Sequence, residues 1–219
     1  MKIIITGATG RIGGEALQNA LSDSSIKEVV VLSRRETGIQ HPKLQTIIKK
    51  DYLQYTTEEL AQLEGAEACI WALGAPTSGL EIHVQYPLAA QRAFATSLAP
   101  KTPSGKPFRF VLLSGGAVVR DQSTRLPPGM SALKKRGQVE QDFVDFAAQN
   151  QTNWKCFIAR PLMVIMPGSW MGWVIPNGYQ IPVAVLAAAL VHIAVSGEAD
   201  QTLQNVDLRR IGQKVMEKR

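Results

Sequence analysis

The sequence predicts an α/β fold with a doubly wound parallel sheet, formed as a single domain over residues 1–219. Three observations support this. The chain opens with a short β-branched run, a glycine-rich turn and a helical pattern. Apolar runs of strand length then alternate with segments of helical spacing, as in a parallel sheet covered on both faces. No Pro-, Gly- or Ser-rich linker divides the chain.

The elements follow in order. The first strand is Lys2–Thr6, and apolar residues then repeat at helical spacing from Ala16 to Leu21. The later strands are predicted at 28–34, 43–49, 66–74, 108–116 and 154–161. Helices are predicted at 56–65, 84–99, 131–149, 181–195 and 206–217. The segment 161–197 is predicted to form a small substrate-side loop and helix near the C-terminus.

The stretch "TGATGRIGG" (6–14) joins the first strand to the first helix. Glycines at such a turn let the backbone approach a pyrophosphate, and a helix N-terminus offers unpaired N–H groups. This context predicts a Rossmann-type dinucleotide site.

The spacing Gly7-x-x-Gly10-x-x-Gly13 resembles the short-chain dehydrogenase/reductase superfamily. The "TGATGxxG" form resembles its atypical branch, the NmrA-like and Tat-interacting-protein-like proteins. The resemblance extends from Lys2 to about Asp207. It implies that a nicotinamide cofactor contacts Gly7, Thr9, Gly10, Arg11, Ile12, Gly13, Asp51, Tyr52, Ala72, Leu73, Gly74, Pro161 and Leu162.

The second strand ends "LSRR". NAD-preferring enzymes place an acidic residue near this point to bind the ribose 2′-hydroxyl. Here the residues are Ser33, Arg34 and Arg35, and guanidinium groups match the oxygens of a 2′-phosphate. We therefore expect NADP(H) rather than NAD(H).

Catalysis in this superfamily uses a Ser and a Tyr-x-x-x-Lys pair. Ser114, at the end of the fifth strand, matches the serine. Aligning on "GQVE" (137–140) puts Ala132 at the tyrosine and Arg136 at the lysine. The resemblance implies that Arg136 holds the ribose, but an arginine stays charged and does not shuttle protons readily.

Other side chains are candidates for the missing proton donor. His83 and Tyr86 begin the helix that follows the fourth strand, at the end that faces the cleft in this fold. Tyr179 lies in the substrate-side loop. For each, an ordinary structural role is the alternative. His192 is predicted to be packed or at an interface, and His41 to be inert.

The segment 160–179 follows the sixth strand and is rich in Trp and Met. By resemblance, Pro161, Leu162 and Met163 contact the nicotinamide end of the cofactor. Trp170, Trp173, Met166 and Met171 are interpreted as an apolar wall for a bulky hydrophobic substrate, with core packing or a dimer surface as the alternative. The apolar helix 181–195 is interpreted as buried or as a subunit contact, which makes a homodimer a prediction.

Three functions stay open. The first is an NADP(H)-dependent oxidoreductase acting on a hydrophobic carbonyl or enone, with biosynthesis in secondary metabolism as one setting. Loss of the tyrosine motivates the second, an isomerase, cyclase or dehydratase. The third is an NADPH-sensing regulatory protein.

The composition excludes other classes. The net charge of +6 suits an anionic partner, but the basic residues are not interleaved with aromatics, so no nucleic-acid role is expected. The two cysteines, Cys69 and Cys156, lie in apolar runs without metal-ligand spacing and are predicted to be core residues, so no metal is expected. No transmembrane segment and a cytoplasmic location are expected.

Overall fold

The computed structural model describes residues 1–74 and 79–218. In this part of the chain, seven parallel strands form one sheet in the order β3-β2-β1-β4-β5-β6-β9. The strands are β1 (Lys2–Thr6), β2 (Glu28–Ser33), β3 (Leu44–Ile48), β4 (Ala66–Trp71), β5 (Phe108–Leu113), β6 (Trp154–Arg160) and β9 (Thr202–Gln204). Two further strands, β7 (Met163–Ile165) and β8 (Gln180–Pro182), pair with each other outside the main sheet. The predicted α/β fold class is confirmed.

Helices cover both faces of the sheet. They are α1 (Arg11–Ser22), α2 (Thr57–Leu63), α3 (Tyr86–Ser97), α4 (Ser131–Gln149), α5 (Met171–Val174), α6 (Val183–Ser196) and α7 (Asn205–Met216). A π-helical turn (Glu81–Gln85) precedes α3, and short 3₁₀ turns occupy Ala99–Lys101 and Asn177–Tyr179.

The apolar strands divide their side chains between two cores. In β1, Ile3 and Ile5 pack with α1, α6 and α7, whereas Ile4 packs on the opposite face with α3 and α4. All three side chains are fully buried. Because each side chain alternates between two covered faces, the strand needs an unbroken apolar run.

The apolar helix α6 lies inside the chain, between α1 and α7 and against the sheet. Gly212 of α7 allows this packing, because a Cβ atom there would lie 2.0 Å from the carbonyl oxygen of Val185. Because its own chain encloses α6, the helix is apolar nearly all round. The interpretation of residues 181–195 as a subunit contact is wrong, since their apolar faces are already covered.

Several boundaries differ from the predictions. The fifth strand ends at Leu113 rather than residue 116, because the chain turns at Gly115 and Gly116. The helix predicted at 84–99 begins in a π-helical turn and ends at Ser97. Both cysteines are buried and unpaired, as predicted. Within residues 1–74 and 79–218, no helix has the length and apolar character needed to cross a bilayer.

Candidate functional site

The turn between β1 and α1 is built on close backbone approaches. Gly7 has a φ of 71°, and a Cβ atom there would lie 2.2 Å from the carbonyl oxygen of Ala72 at the end of β4. A Cβ atom at Gly13 would lie 2.2 Å from the carbonyl oxygen of Gly7. The N–H of Gly10 donates to the same oxygen at 2.9 Å. Glycine is therefore required at Gly7 and Gly13 for the helix to meet the turn.

The N-terminus of α1 is available to an anion. Within residues 1–74 and 79–218, no side chain caps this end, and the first turn contains no acidic residue. The first N–H groups of a helix have no intrahelical acceptors, and the helix dipole is positive at this end. A phosphate group at this point would satisfy both features.

A cleft of about 260 Å³ lies beside this turn, at the carboxyl ends of β1, β2 and β4. It brings together eight of the predicted cofactor residues, Gly7, Thr9, Gly10, Arg34, Tyr52, Ala72, Leu73 and Gly74. Lys50, Ile82 and Tyr86 complete its lining. Lys50 and Ile82 were not predicted, although the basic pair Lys49–Lys50 at the end of the third strand was a visible signal.

Two cations stand at the edge of the cleft. Arg34 and Lys50 are exposed, and within the described ranges neither forms a salt bridge or a side-chain hydrogen bond. Arg35 is also exposed but does not line the cleft. Ser33 is buried, and its hydroxyl oxygen accepts a long hydrogen bond of 3.4 Å from the backbone N–H of Arg35. Ser33 thus shapes the turn that carries the arginines.

The two residues after β3 have different environments. Asp51 is exposed, and one of its carboxylate oxygens accepts from the N–H of Leu53 at 2.8 Å. Tyr52 is buried and donates its hydroxyl to the carbonyl oxygen of Leu32 at 2.9 Å. Burial raises the pKa of Tyr52 well above its usual value, so the phenol stays neutral. Its ring stacks on Tyr86, with 5.5 Å between the ring centroids.

Ser114 belongs to a buried charge network that the sequence did not reveal. Its hydroxyl donates to the carboxylate of Glu140, whose side chain is 1% exposed. The same carboxylate accepts from Nε of Arg120 at 2.7 Å and from the guanidinium of Arg160, whose Nε lies 3.0 Å from Oε2. The Arg120 guanidinium also donates to the hydroxyl of Thr202 at 2.9 Å.

The network sets the polarity of Ser114. With its proton directed at Glu140, the hydroxyl accepts hydrogen bonds from the cleft and does not donate them. The predicted role of Ser114, polarising a substrate oxygen by donation, therefore requires the hydroxyl to rotate away from Glu140. Glu140 was visible in sequence only as the last letter of "GQVE".

A small recess beside the cofactor cleft brings Ser114 together with His83 and Arg136. The His83 ring lies over Gly74, where a Cβ atom would be 2.7 Å from His83 Cε1. Tyr86 lines the cofactor cleft and not this recess. His83 is thus the better placed of the two proposed proton donors.

Arg136 is held at the recess by close packing of α4. A Cβ atom at Gly137 would lie 1.8 Å from the carbonyl oxygen of Val119, so this turn of the helix lies directly on the 118–120 segment. Burial lowers the pKa of Arg136, whereas Glu140 raises it. Within the described residues its guanidinium makes no hydrogen bond or salt bridge. Ala132, one turn earlier, has no proton to donate.

The chain after β6 runs from the recess to the surface. Pro161 is buried, and its carbonyl oxygen accepts from the N–H of Gly116 at 2.8 Å. Leu162 packs against Gly116, and its N–H donates to Asn205 Oδ1 at 3.1 Å. Trp170 and Trp173 of the predicted apolar wall are 72% and 93% exposed, in and next to α5, so core packing does not account for them. The short pair β7–β8 holds the base of this loop.

The other candidates lie outside the recess. Tyr179 is 66% exposed in the same loop. His192 Nε2 lies 3.6 Å from a carboxylate oxygen of Glu198, on the partly exposed side of α6. His41 Nδ1 accepts from the N–H of Lys43 at 3.2 Å and shapes a turn.

The fold of the chain matches that of several solved structures. The chain superposes on the oxidoreductase ylbE of Lactococcus lactis with a TM-score of 0.66 and 18% identity, covering 99% of this chain and 97% of that one. WbmF of Bordetella bronchiseptica, solved with NAD⁺, superposes with a TM-score of 0.68 and 15% identity. The superposition covers 99% of this chain and 77% of WbmF. The reductase domain of PhqB from Penicillium fellutanum superposes with a TM-score of 0.66 and 17% identity. The superposition covers 94% of this chain and 67% of that domain. At these identities the likeness shows the fold.

One sequence relative comes from a biosynthesis cluster. "Leucinostatins biosynthesis cluster protein T" of Purpureocillium lilacinum is 37% identical over 103 residues, which cover 43% of this chain and 38% of that protein. The match thus spans well under half of the relative's length. No family model matches the chain.

Proposed function

We propose that this chain is an NADP(H)-binding protein of the atypical short-chain dehydrogenase/reductase type and acts as an oxidoreductase on a bulky hydrophobic carbonyl or enone. The observation that carries the proposal is the uncapped N-terminus of α1, which faces a cleft whose rim holds Arg34 and Lys50. The biosynthesis-cluster relative supports a setting in secondary metabolism.

The residues present fit a dinucleotide. Gly7 and Gly13 allow the tight turn and the close packing of α1 on it, and Gly10 at the start of the helix has no side chain to keep a pyrophosphate from the backbone N–H groups. Tyr86 and Leu73 offer apolar surface for the adenine, beside Gly74. Arg34 and Lys50 are in position to hold a 2′-phosphate, because both are free of carboxylates in the described chain. Arg35 adds positive charge outside the cleft.

When bound, the nicotinamide supplies or accepts a hydride. The chain's own residues then orient the substrate beside Ser114. Arg136 can donate to the substrate oxygen, and Ser114 can accept from a hydroxyl group because its own proton is held by Glu140. Among the side chains that line the recess, the imidazole of His83 is the type that most commonly transfers protons near neutral pH.

A second candidate function is a non-redox isomerase, cyclase or dehydratase on the same scaffold. The orientation of Ser114 favours it, since a hydroxyl whose proton is directed at a buried carboxylate accepts hydrogen bonds from a substrate and does not polarise a carbonyl oxygen by donation. The non-redox function is also favoured because position 132 is an alanine, where the superfamily has its tyrosine.

The cofactor assignment is tested by fluorescence titration with NADPH and NADH. The double variant Arg34→Ala with Arg35→Ala should lose about 10- to 100-fold in NADPH affinity, since one to two charge-assisted phosphate contacts are removed. NADH affinity should change less than about 2-fold, because NADH has no 2′-phosphate.

The control is Lys106→Ala with Lys214→Ala, which removes the same charge from exposed positions. Lys106 lies two residues before β5, and Lys214 lies near the end of α7 beside Asp23. It should leave both affinities unchanged. Equal NADPH affinity in the arginine variant and the control would contradict the NADP(H) assignment.

The reaction class is tested by following NADPH absorbance with a panel of hydrophobic ketones and enones. Consumption that depends on the substrate supports the oxidoreductase. Tight NADPH binding without consumption, together with conversion of a substrate at constant NADPH, supports the non-redox alternative.

A further inference from the structure

Arg136 is a half-buried cation whose nearest acidic group, Glu140, is already engaged by two other guanidiniums. Its neighbours Arg120 and Arg160 both bind Glu140, but no salt bridge or hydrogen bond joins Arg136 to any part of residues 1–74 and 79–218. A guanidinium drawn out of water is normally paired or hydrogen-bonded, because desolvation without a partner is unfavourable. The side chain faces the recess that contains Ser114.

The charges around the recess do not balance. Arg136 and Glu140 both line the recess, and the carboxylate of Glu140 also binds Arg120 and Arg160 behind it, so three guanidiniums share one carboxylate. Partial burial limits the screening of this excess by solvent. The recess therefore attracts a negatively charged group.

The hydrogen-bond donors of the recess point to the same group. The Ser114 proton is directed at Glu140, and Ala132 has no hydroxyl. Arg136 is thus the strongest donor that the recess offers, and its planar fork matches two carboxylate oxygens better than one carbonyl oxygen.

The cation lies next to apolar surface. The turn Gly115–Gly116 lies between the Arg136 guanidinium and the apolar Leu162. A Cβ atom at Gly115 would lie 3.8 Å from Arg136 Nη2, and a Cβ atom at Gly116 would lie 2.4 Å from Leu162 Cδ2. From Leu162 to Pro182, before the buried helix α6, the chain has no Asp, Glu, Lys or Arg. Met163, Trp170 and Trp173 are exposed along this uncharged stretch.

We propose that the substrate is an amphipathic acid, whose carboxylate binds Arg136 and whose apolar body lies along Leu162 and the uncharged stretch. The proposal rests on the proposed function for the position of the reacting carbon, and it narrows the substrate class from a neutral hydrophobic carbonyl to an oxo acid or enoic acid. It assigns Arg136 to the substrate rather than to the cofactor ribose.

The test is calorimetric titration of the NADPH-loaded protein with decanoate and with 1-decanol, which share a chain length and differ in charge. Wild type should bind decanoate at least about 10-fold more tightly, as expected for a charge-assisted pair. Arg136→Gln should abolish the preference, and Arg136→Lys should retain part of it. Lys135→Gln, the exposed neighbour on α4, should leave it unchanged.

Two results would overturn the proposal. One is equal binding of decanoate and 1-decanol to wild type. The other is an Arg136→Gln variant that still prefers decanoate to 1-decanol but has lost NADPH affinity. That result would mean that Arg136 binds the cofactor ribose. If NADPH does not bind at all, the proposed function fails on its own, and the same titrations of the unloaded protein still test the anion site.

Discussion

Replacing Glu140 by Gln tests the buried network that orients Ser114. The substitution keeps the shape of the side chain but removes its charge, so three guanidiniums are left with no carboxylate among them. Breaking a buried ion network by removing one partner typically costs about 3–5 kcal/mol. Arg120 is 26% exposed and Arg160 is 14% exposed, so water can solvate both in part. We therefore expect a loss near the lower limit, about 3 kcal/mol.

The assay is urea unfolding followed by circular dichroism. With a denaturant dependence of about 2–3 kcal/mol per molar, the midpoint should fall by about 1 M or slightly more. The matched control is Glu64→Gln, which removes an exposed pair whose Glu64 oxygen lies 3.4 Å from Lys101 Nζ. Exposed pairs contribute about 0–1 kcal/mol, so its midpoint should shift little. If the two variants unfolded within about 0.5 M urea of each other, the network would not have the role inferred for it.

Three further predictions concern packing and exposure. Gly137→Ala puts a methyl group 1.8 Å from the Val119 carbonyl oxygen, so it should lower the free energy of unfolding by about 1–3 kcal/mol in thermal unfolding. Burial raises the pKa of the Cys156 thiol to about 12, so in the native protein at pH 8 almost no thiolate is present and iodoacetamide should label it only after unfolding. Trp170 and Trp173 are exposed, so replacing both by Phe should remove most of the tryptophan fluorescence that acrylamide quenches.

Each of these three predictions has a control or a contradicting result within the same protein. Gly178→Ala meets no atom within 4 Å and should change stability by less than about 0.5 kcal/mol. Rapid labelling of the native protein at one thiol per chain would contradict the burial of both cysteines. Trp71 and Trp154 are buried. If acrylamide still quenched the fluorescence strongly in the double Phe variant, the exposure of Trp170 and Trp173 would not account for the quenching, and the burial of the other two tryptophans would be contradicted.

Much of the fold was predictable because local patterns agree with the tertiary environment. The run Ile3–Ile5 is apolar because both faces of β1 are covered, and the glycines of the β1–α1 turn are required by backbone contacts of about 2 Å. Helix α4 begins and ends where its spacing indicates. Each of these features shows itself in the sequence as a pattern of residues close together along the chain.

The features that were missed depend on distant contacts. Strand β9 has only three residues, too few to show alternation, and pairs with β6 over 40 residues earlier. The helix α6 has the same apolar character whether its own chain or another chain covers it, so the sequence left both open.

The candidate site shows the same division. The glycine turn and Arg34 are local signals, whereas the link between Ser114 and Glu140 spans 26 residues and depends on how α4 lies across β5 and β6. That link reverses the hydrogen-bond polarity assigned to Ser114. Trp170 and Trp173 were interpreted as part of an apolar substrate wall, with core packing as one alternative, and only their exposure in the fold excludes core packing.

The most direct test of the central claim is a crystal structure of this chain with NADPH. The account predicts the pyrophosphate at the N-terminus of α1 beside Gly7, Gly10 and Gly13, and the 2′-phosphate between Arg34 and Lys50. The nicotinamide should lie toward Ser114. A dinucleotide bound elsewhere on the chain, or a 2′-phosphate that contacts neither Arg34 nor Lys50, would contradict the account.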